Sequence, residues 1–81
     1  MYRIVPDTAV SEQVAALPDD VLAGYAEVLE VLQLTPWNGR SQHPDAPVRR
    51  WVFGPDQAGQ VVYLILEEQQ EVHLLLVQWW G

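Results

Sequence analysis

The stretch Val48–Trp79, VRRWVFGPDQAGQVVYLILEEQQEVHLLLVQW, decides the architecture. It contains three strand-like runs, at 48–53, 60–66 and 72–79. Gly54-Pro55-Asp56-Gln57-Ala58-Gly59 separates the first two, and the polar Glu67–Gln70 separates the last two. Links this short join antiparallel neighbours, so a meander is expected. The second and third runs are apolar on both faces, as in central strands with something covering each side. In the first run Val48, Arg50 and Val52 share one face, and Arg49, Trp51 and Phe53 share the other, because side chains alternate along a strand.

Upstream, Tyr2-Arg3-Ile4-Val5 reads as a short strand that stops at Pro6. Asp7 suits a helix N-cap, with Thr8 a second candidate. Val10, Val14 and Leu17 then fall on one apolar face. Pro18 breaks that helix and Asp19 or Asp20 opens the next, where acids complement the helix dipole. Val21, Tyr25, Val28 and Leu32 keep helical spacing, widened by Leu22 and Leu29. Pro36 ends the second helix, since a residue before proline avoids helical geometry. Residues 36–47, PWNGRSQHPDAP, hold three prolines and an Asn-Gly pair and read as a loop carrying Arg40 and His43. The expected class is α+β, in the order β-α-α-β-β-β. It is an antiparallel twisted sheet of about four strands, with an N-terminal helical hairpin on one face, forming one domain over residues 1–81.

The totals narrow the functional classes. A chain of 81 residues buries only about 60% of its extended-chain surface, so its stability margin is thin. About half its residues are hydrophobic and eight are aromatic, which supports a packed core. Four cations, all arginine, stand against eleven acids, a net charge of −7. That works against unassisted binding to nucleic acid or anionic membranes, although a local cationic patch survives such a balance. There is no cysteine, hence no disulfide or thiolate metal site, and two histidines thirty residues apart give no metal-ligand spacing. Neither metal nor cofactor is expected. No apolar run reaches the roughly 18 residues of a membrane span, and MYRIVPDTAV lacks the features of a signal peptide. A cytoplasmic protein without membrane association is the expectation.

The order and spacing of several short pieces resemble the RelE/ParE family, the toxins of type II toxin–antitoxin pairs. The pieces are the opening Tyr2-Arg3-Ile4-Val5, Leu17-Pro18 between the helices, and Thr35-Pro36-Trp37 after the second helix. Arg49-Arg50 leading to Gly54, Val61-Val62-Tyr63, and the final Val77-Gln78-Trp79 complete the pattern. The resemblance covers nearly the whole chain. It implies a four-stranded antiparallel sheet packed by two helices and a cognate antitoxin that wraps the toxin surface. It also implies one of two targets: mRNA on the ribosome, cut with the help of Arg and Lys, or DNA gyrase.

Two departures bear on the chemistry. Where many members carry Arg three residues before the strand tyrosine, this chain has Gln60. Its end, Gln78-Trp79-Trp80-Gly81, supplies no Lys, His or Tyr. RNA cleavage needs a base, an acid and cations for the phosphorane charge, so this depleted set counts against mRNA cleavage.

The catalytic candidates that remain are Arg49, Arg50 and His43, and the binding candidates are Arg40, Trp37, Trp79 and Trp80. Arg49 could stack on Trp51 or a neighbouring strand's ring; the plain alternative pairs one arginine with an acid and lets the other snorkel to water. His43 reads as a solvated loop residue or a ligand contact. His73, alternating with Leu75 and Val77, reads as a satisfied, partly buried histidine. Glu67, Glu68 and Glu71 keep a turn wet. His43-Pro44-Asp45 matches the tripeptide of J-domain co-chaperones, but the acidic helix before it and the strands after it make the match chance.

Trp79 and Trp80 point to opposite faces, so one of them is a potential anchor for an antitoxin or a second copy of the chain. Two functions follow. One is a toxin or toxin-like component of a type II toxin–antitoxin system. The other is a non-enzymatic interaction module that uses an aromatic surface for oligomer or partner binding.

Overall fold

The computed structural model describes residues 1–41 and 43–81. The chain runs β1 (Arg3–Pro6), α1 (Thr8–Ala15), α2 (Asp19–Leu34), β2 (Val48–Phe53), β3 (Gly59–Leu66) and β4 (Glu71–Trp79), with 3-10 turns at Pro36–Asn38 and Pro55–Gln57. This is the expected α+β order. Asp7 caps α1, its carboxylate accepting from the Val10 N–H at 2.9 Å. Pro18 occupies the N-cap of α2 and offers no side-chain bond, so Asp19 and Asp20 in the first turn are the acids that face the helix dipole. Thr35 and Pro36 stop α2 where the sequence places the break.

The sheet order is β1-β4-β3-β2. β2–β3 and β3–β4 are the antiparallel hairpins of the meander. β1 lies parallel to β4, so the sheet is mixed rather than antiparallel throughout. The reason is connectivity: β1 is followed by two helices and two strands, an excursion long enough for β4 to return beside it in the same direction.

Both helices lie on one face of the sheet, α1 mainly against β4 and α2 against β1 and β2. Val10, Leu17, Val21, Tyr25, Val28 and Leu32 meet Phe53, Val61, Tyr63, Ile65, Val72, Leu74 and Val77 to form the core. Alternate residues of β3 enter it, and Gln60, Val62, Leu64 and Leu66 face away. In β4 the alternation breaks. Val62 pairs with Leu76 but Tyr63 pairs with Leu74, leaving Leu75 as the extra residue of a β-bulge. His73 therefore shares the open face with Leu76 and Gln78, while Val77 turns into the core. The expected alternation of His73 with Leu75 and Val77 fails at the bulge. Among the described residues no helix covers this second face, where β3 presents Val62, Leu64 and Leu66 but β4, expected to be apolar on both faces, presents only Leu76 among Glu71, His73 and Gln78.

Candidate functional site

The site grows from β2 and the loop before it. Arg49 leaves β2 on the covered side and is only 7% exposed. Its guanidinium does not meet an acid. Nε donates to the Ala46 carbonyl at 3.1 Å, and Nη1 to Trp37 O at 2.7 Å and Gly39 O at 3.0 Å. Nη2 donates to the Pro44 carbonyl. Its carbon also lies 4.9 Å from the centroid of the Trp37 ring, a cation–π contact. Four of the five donors of an arginine are thus engaged with one loop. The expected partners, an acid and Trp51, are replaced by loop carbonyls and Trp37.

Pro36, Trp37 and Gly39 are held as firmly. Tyr63 donates its hydroxyl to the Pro36 carbonyl at 2.7 Å, and burial pushes its ionisation up to about 12, against the pull of the Arg49 charge. Gly39 sits so close that a Cβ there would lie 1.9 Å from the Tyr63 hydroxyl and 3.0 Å from Arg50 O. Trp37 Nε1 donates to Glu67 at 2.6 Å, and the Tyr2 hydroxyl donates to the same carboxylate oxygen at 2.5 Å. These bonds, that of Tyr2 foremost, hold the Glu67 carboxyl below its ordinary range. The turn acid expected to be merely wet is a tie between β1, the loop and the β3–β4 turn.

Arg40 and Arg50 exchange backbone bonds: Arg40 N–H donates to Arg50 O at 2.9 Å and Arg50 N–H donates to Arg40 O at 3.0 Å. Directly opposed residues of an antiparallel bridge project to the same face. Two arginines therefore stand side by side on the open face, and among the described residues neither forms an ion pair with a carboxylate. They line an open groove of about 480 Å³ with Ser41, His43, Val48, Gln60 and Val62. Gln60 is turned toward Gln78, its amide N donating at 3.2 Å.

Of the catalytic candidates, Arg50 and His43 meet in this groove, joined by the binding candidate Arg40. Arg49 reaches its wall but turns its donors into the loop. Trp37 stacks inside the fold, and Trp79 packs on Phe53, ring centroids 6.5 Å apart. Trp80 alone of the three is exposed, at 64%.

A second polar cluster lies on the same face of the sheet. Glu71 accepts from Arg3 and contacts His73 Nε2 at 3.0 Å, and these bonds, that of His73 first, lower its carboxyl. His73 is thus satisfied, as expected. Sequence alone missed the Arg40–Arg50 bridge, because it depends on a loop folding back, and missed the Arg49 carbonyl clamp, because backbone acceptors leave no residue signature.

No family model matches the sequence, and no curated protein matches it. Solved structures do match. The intact E. coli RelBE toxin–antitoxin complex superposes at a TM-score of 0.82 with 13% identity, covering 100% of this chain and 99% of that one. The fold is the RelE toxin fold. The isolated E. coli RelE toxin gives 0.80 at 15% identity, covering 100% of this chain and 86% of the other. The RelBE2 toxin–antitoxin complex of Mycobacterium tuberculosis gives 0.75 at 22% identity, covering 98% of each. Identities this low carry the RelE fold across and leave residue roles to be argued from this chain. No helix among the described residues is long and apolar enough to cross a membrane.

Proposed function

We propose that this protein is the toxin component of a toxin–antitoxin pair and that Arg40, Arg50 and His43 form its contact with the RNA backbone. One observation carries the reading: two arginines are fixed cross-strand on the open face of a RelE fold and, among the described residues, neither is paired with a carboxylate. Like charges directly opposed destabilise a sheet, and an anion bound between them reverses the sign of that term. RNA phosphate is the anion that fits an open groove beside an exposed imidazole. The RelE folds solved with antitoxins support a protein antitoxin as the partner of this chain.

Cleavage is the weaker half of the activity. Among the described residues that line the groove, His43 is the side chain able to exchange a proton with substrate, and the Gln60 amide cannot replace an acid or a base. Grip on the message, with slow cutting at most, is the expected mechanism. Expression in growing cells tests it. Growth arrest relieved by the product of a neighbouring antitoxin gene is expected, with Arg50→Ala harmless at unchanged melting temperature. Harmless expression of the wild type sinks the toxin reading. Arrest with intact mRNA and stalled DNA supercoiling moves the target to gyrase. The interaction-module alternative rests on Trp80, and in that case Trp80→Ala, not Arg50→Ala, abolishes partner binding.

A further inference from the structure

Arg40 and Arg50 repel each other, yet they are held opposite each other with no carboxylate paired to either among the described residues. The force that holds them comes through one peptide unit. The Gly39 carbonyl accepts from Arg49 Nη1 at 3.0 Å, and the N–H of the same peptide, that of Arg40, donates to Arg50 O at 2.9 Å. The peptide is gripped from both ends, and each bond polarises it in favour of the other. Around it, Arg49 also fixes Trp37, Pro44 and Ala46, so both flanks of the Arg40–His43 segment are tied to one side chain. Trp37 caps the flat face of that guanidinium and is itself anchored to Glu67 across the β3–β4 turn.

We infer that Arg49 is a positioning residue: it sets Arg40 against Arg50 and so presets the groove for phosphate, with Trp37 and Glu67 as its support. The phosphate half of this inference rests on the RNA-backbone reading above; the clamp itself does not. The physical reason for arginine is the planar fork. It reaches four carbonyls in different directions, whereas a lysine ammonium has three donors on a flexible stem. Removing the clamp leaves the two arginines free to separate, which widens the spacing a phosphate would bridge and returns ordering entropy to the binding step.

The test is Arg49→Lys in the full chain, which keeps the charge and removes the fork. Amide hydrogen exchange is the first readout. The Arg40 and Arg50 amides are expected to exchange at least about tenfold faster, a larger factor than for Val61 and Val72 in the core, so that local opening exceeds what the loss of global stability alone produces. Binding of a six-nucleotide single-stranded RNA across a salt series is the second. Affinity is expected to fall about tenfold and the salt slope to lose about one phosphate contact, although no charge was removed.

Unchanged protection of both amides overturns the inference, as does wild-type RNA affinity in Arg49→Lys. If the wild type binds no RNA, the RNA reading fails, and the amide exchange alone decides whether the clamp exists. Should Arg49→Lys not fold, Trp37→Phe keeps a ring over Arg49 and loses the bond to Glu67. Faster exchange at the Arg40 amide in that variant supports the clamp, and unchanged exchange overturns it.

Discussion

The covered face and the open face of the sheet treat neighbouring arginines in opposite ways. Arg49, turned toward the helices and the loop, is buried and engages four carbonyls and an aromatic ring. Arg50, one residue on, is exposed, has a second arginine opposite it and, among the described residues, is paired with no carboxylate. A charge removed from water must have its donors satisfied, because desolvation is costly and only good hydrogen bonds offset it. A charge left in water has no such requirement and stays free for a ligand. The same residue type is architecture on one side of β2 and a binding surface on the other.

Substituting the pair measures the contrast most directly. Arg49→Met removes a buried charge but strands several loop carbonyls, and a loss of about 3 kcal/mol is expected. Thermal melting would register it as a fall of roughly 15 °C for a domain of this size. Arg50→Met should lie within about 0.5 kcal/mol of wild type, since it removes a like-charge contact at the surface. Equal losses for the two would break the comparison.

Gly39→Ala sharpens it from the loop side. The new methyl would meet the Tyr63 hydroxyl at 1.9 Å, with backbone on its other flank. A loss of about 2 kcal/mol is expected, read by chemical denaturation.

Tyr63→Phe should cost about 1.5 kcal/mol by leaving the buried Pro36 carbonyl without its donor. It also carries a pH signature. The phenol ionises at about 12 in the fold, against an ordinary 10.0. The folded state therefore holds its proton more tightly than the unfolded chain. That contribution is complete below pH 10 and is lost as pH rises from 10 to about 12. Stability curves of the wild type should steepen in that window, and those of Tyr63→Phe should flatten.

The smallest effect belongs to the exposed tie at Glu67. Its carboxyl is lowered from an ordinary 4.5 mainly by the Tyr2 hydroxyl and then by the Trp37 indole. A depressed carboxylate stabilises above its unfolded value and loses that contribution as pH falls through the lowered folded value. Glu67→Gln should therefore reduce the acid sensitivity of melting below about pH 4.5 while changing the neutral melting temperature little.

Much of the fold is legible in the sequence because it depends on local rules. Pro6, Pro18 and Pro36 mark the boundaries of β1, the break between the helices and the end of α2, since proline removes a donor and restricts its neighbour. The period of two along Val48–Phe53 is enough to send Arg49 and Arg50 to opposite faces. The parallel seating of β1 is hidden, because which edge a short first strand joins depends on where β4 arrives. The bulge at Leu75 is hidden too, since Leu74, Leu75 and Leu76 are chemically alike and the run does not say which of them is extra.

The site is legible in its residues but not in its grouping. Arg40, His43 and Arg50 can be named from scarcity and chemistry. Their meeting in one groove requires the loop to fold back on β2, and that return is made by Arg49, Tyr63 and Gly39 through backbone atoms that every sequence possesses.

By itself the sequence determined the element order, the alternation that divides the two arginines and the scarcity of cations, four arginines against eleven acids. These follow from nearest-neighbour geometry and from composition. Tertiary structure alone decided which face the helices cover, and hence which arginine is buried. It also decided that the exposed arginine faces Arg40. Burial and cross-strand pairing depend on distant segments arriving at the same place, and a side chain acquires its role from the groups it finds there.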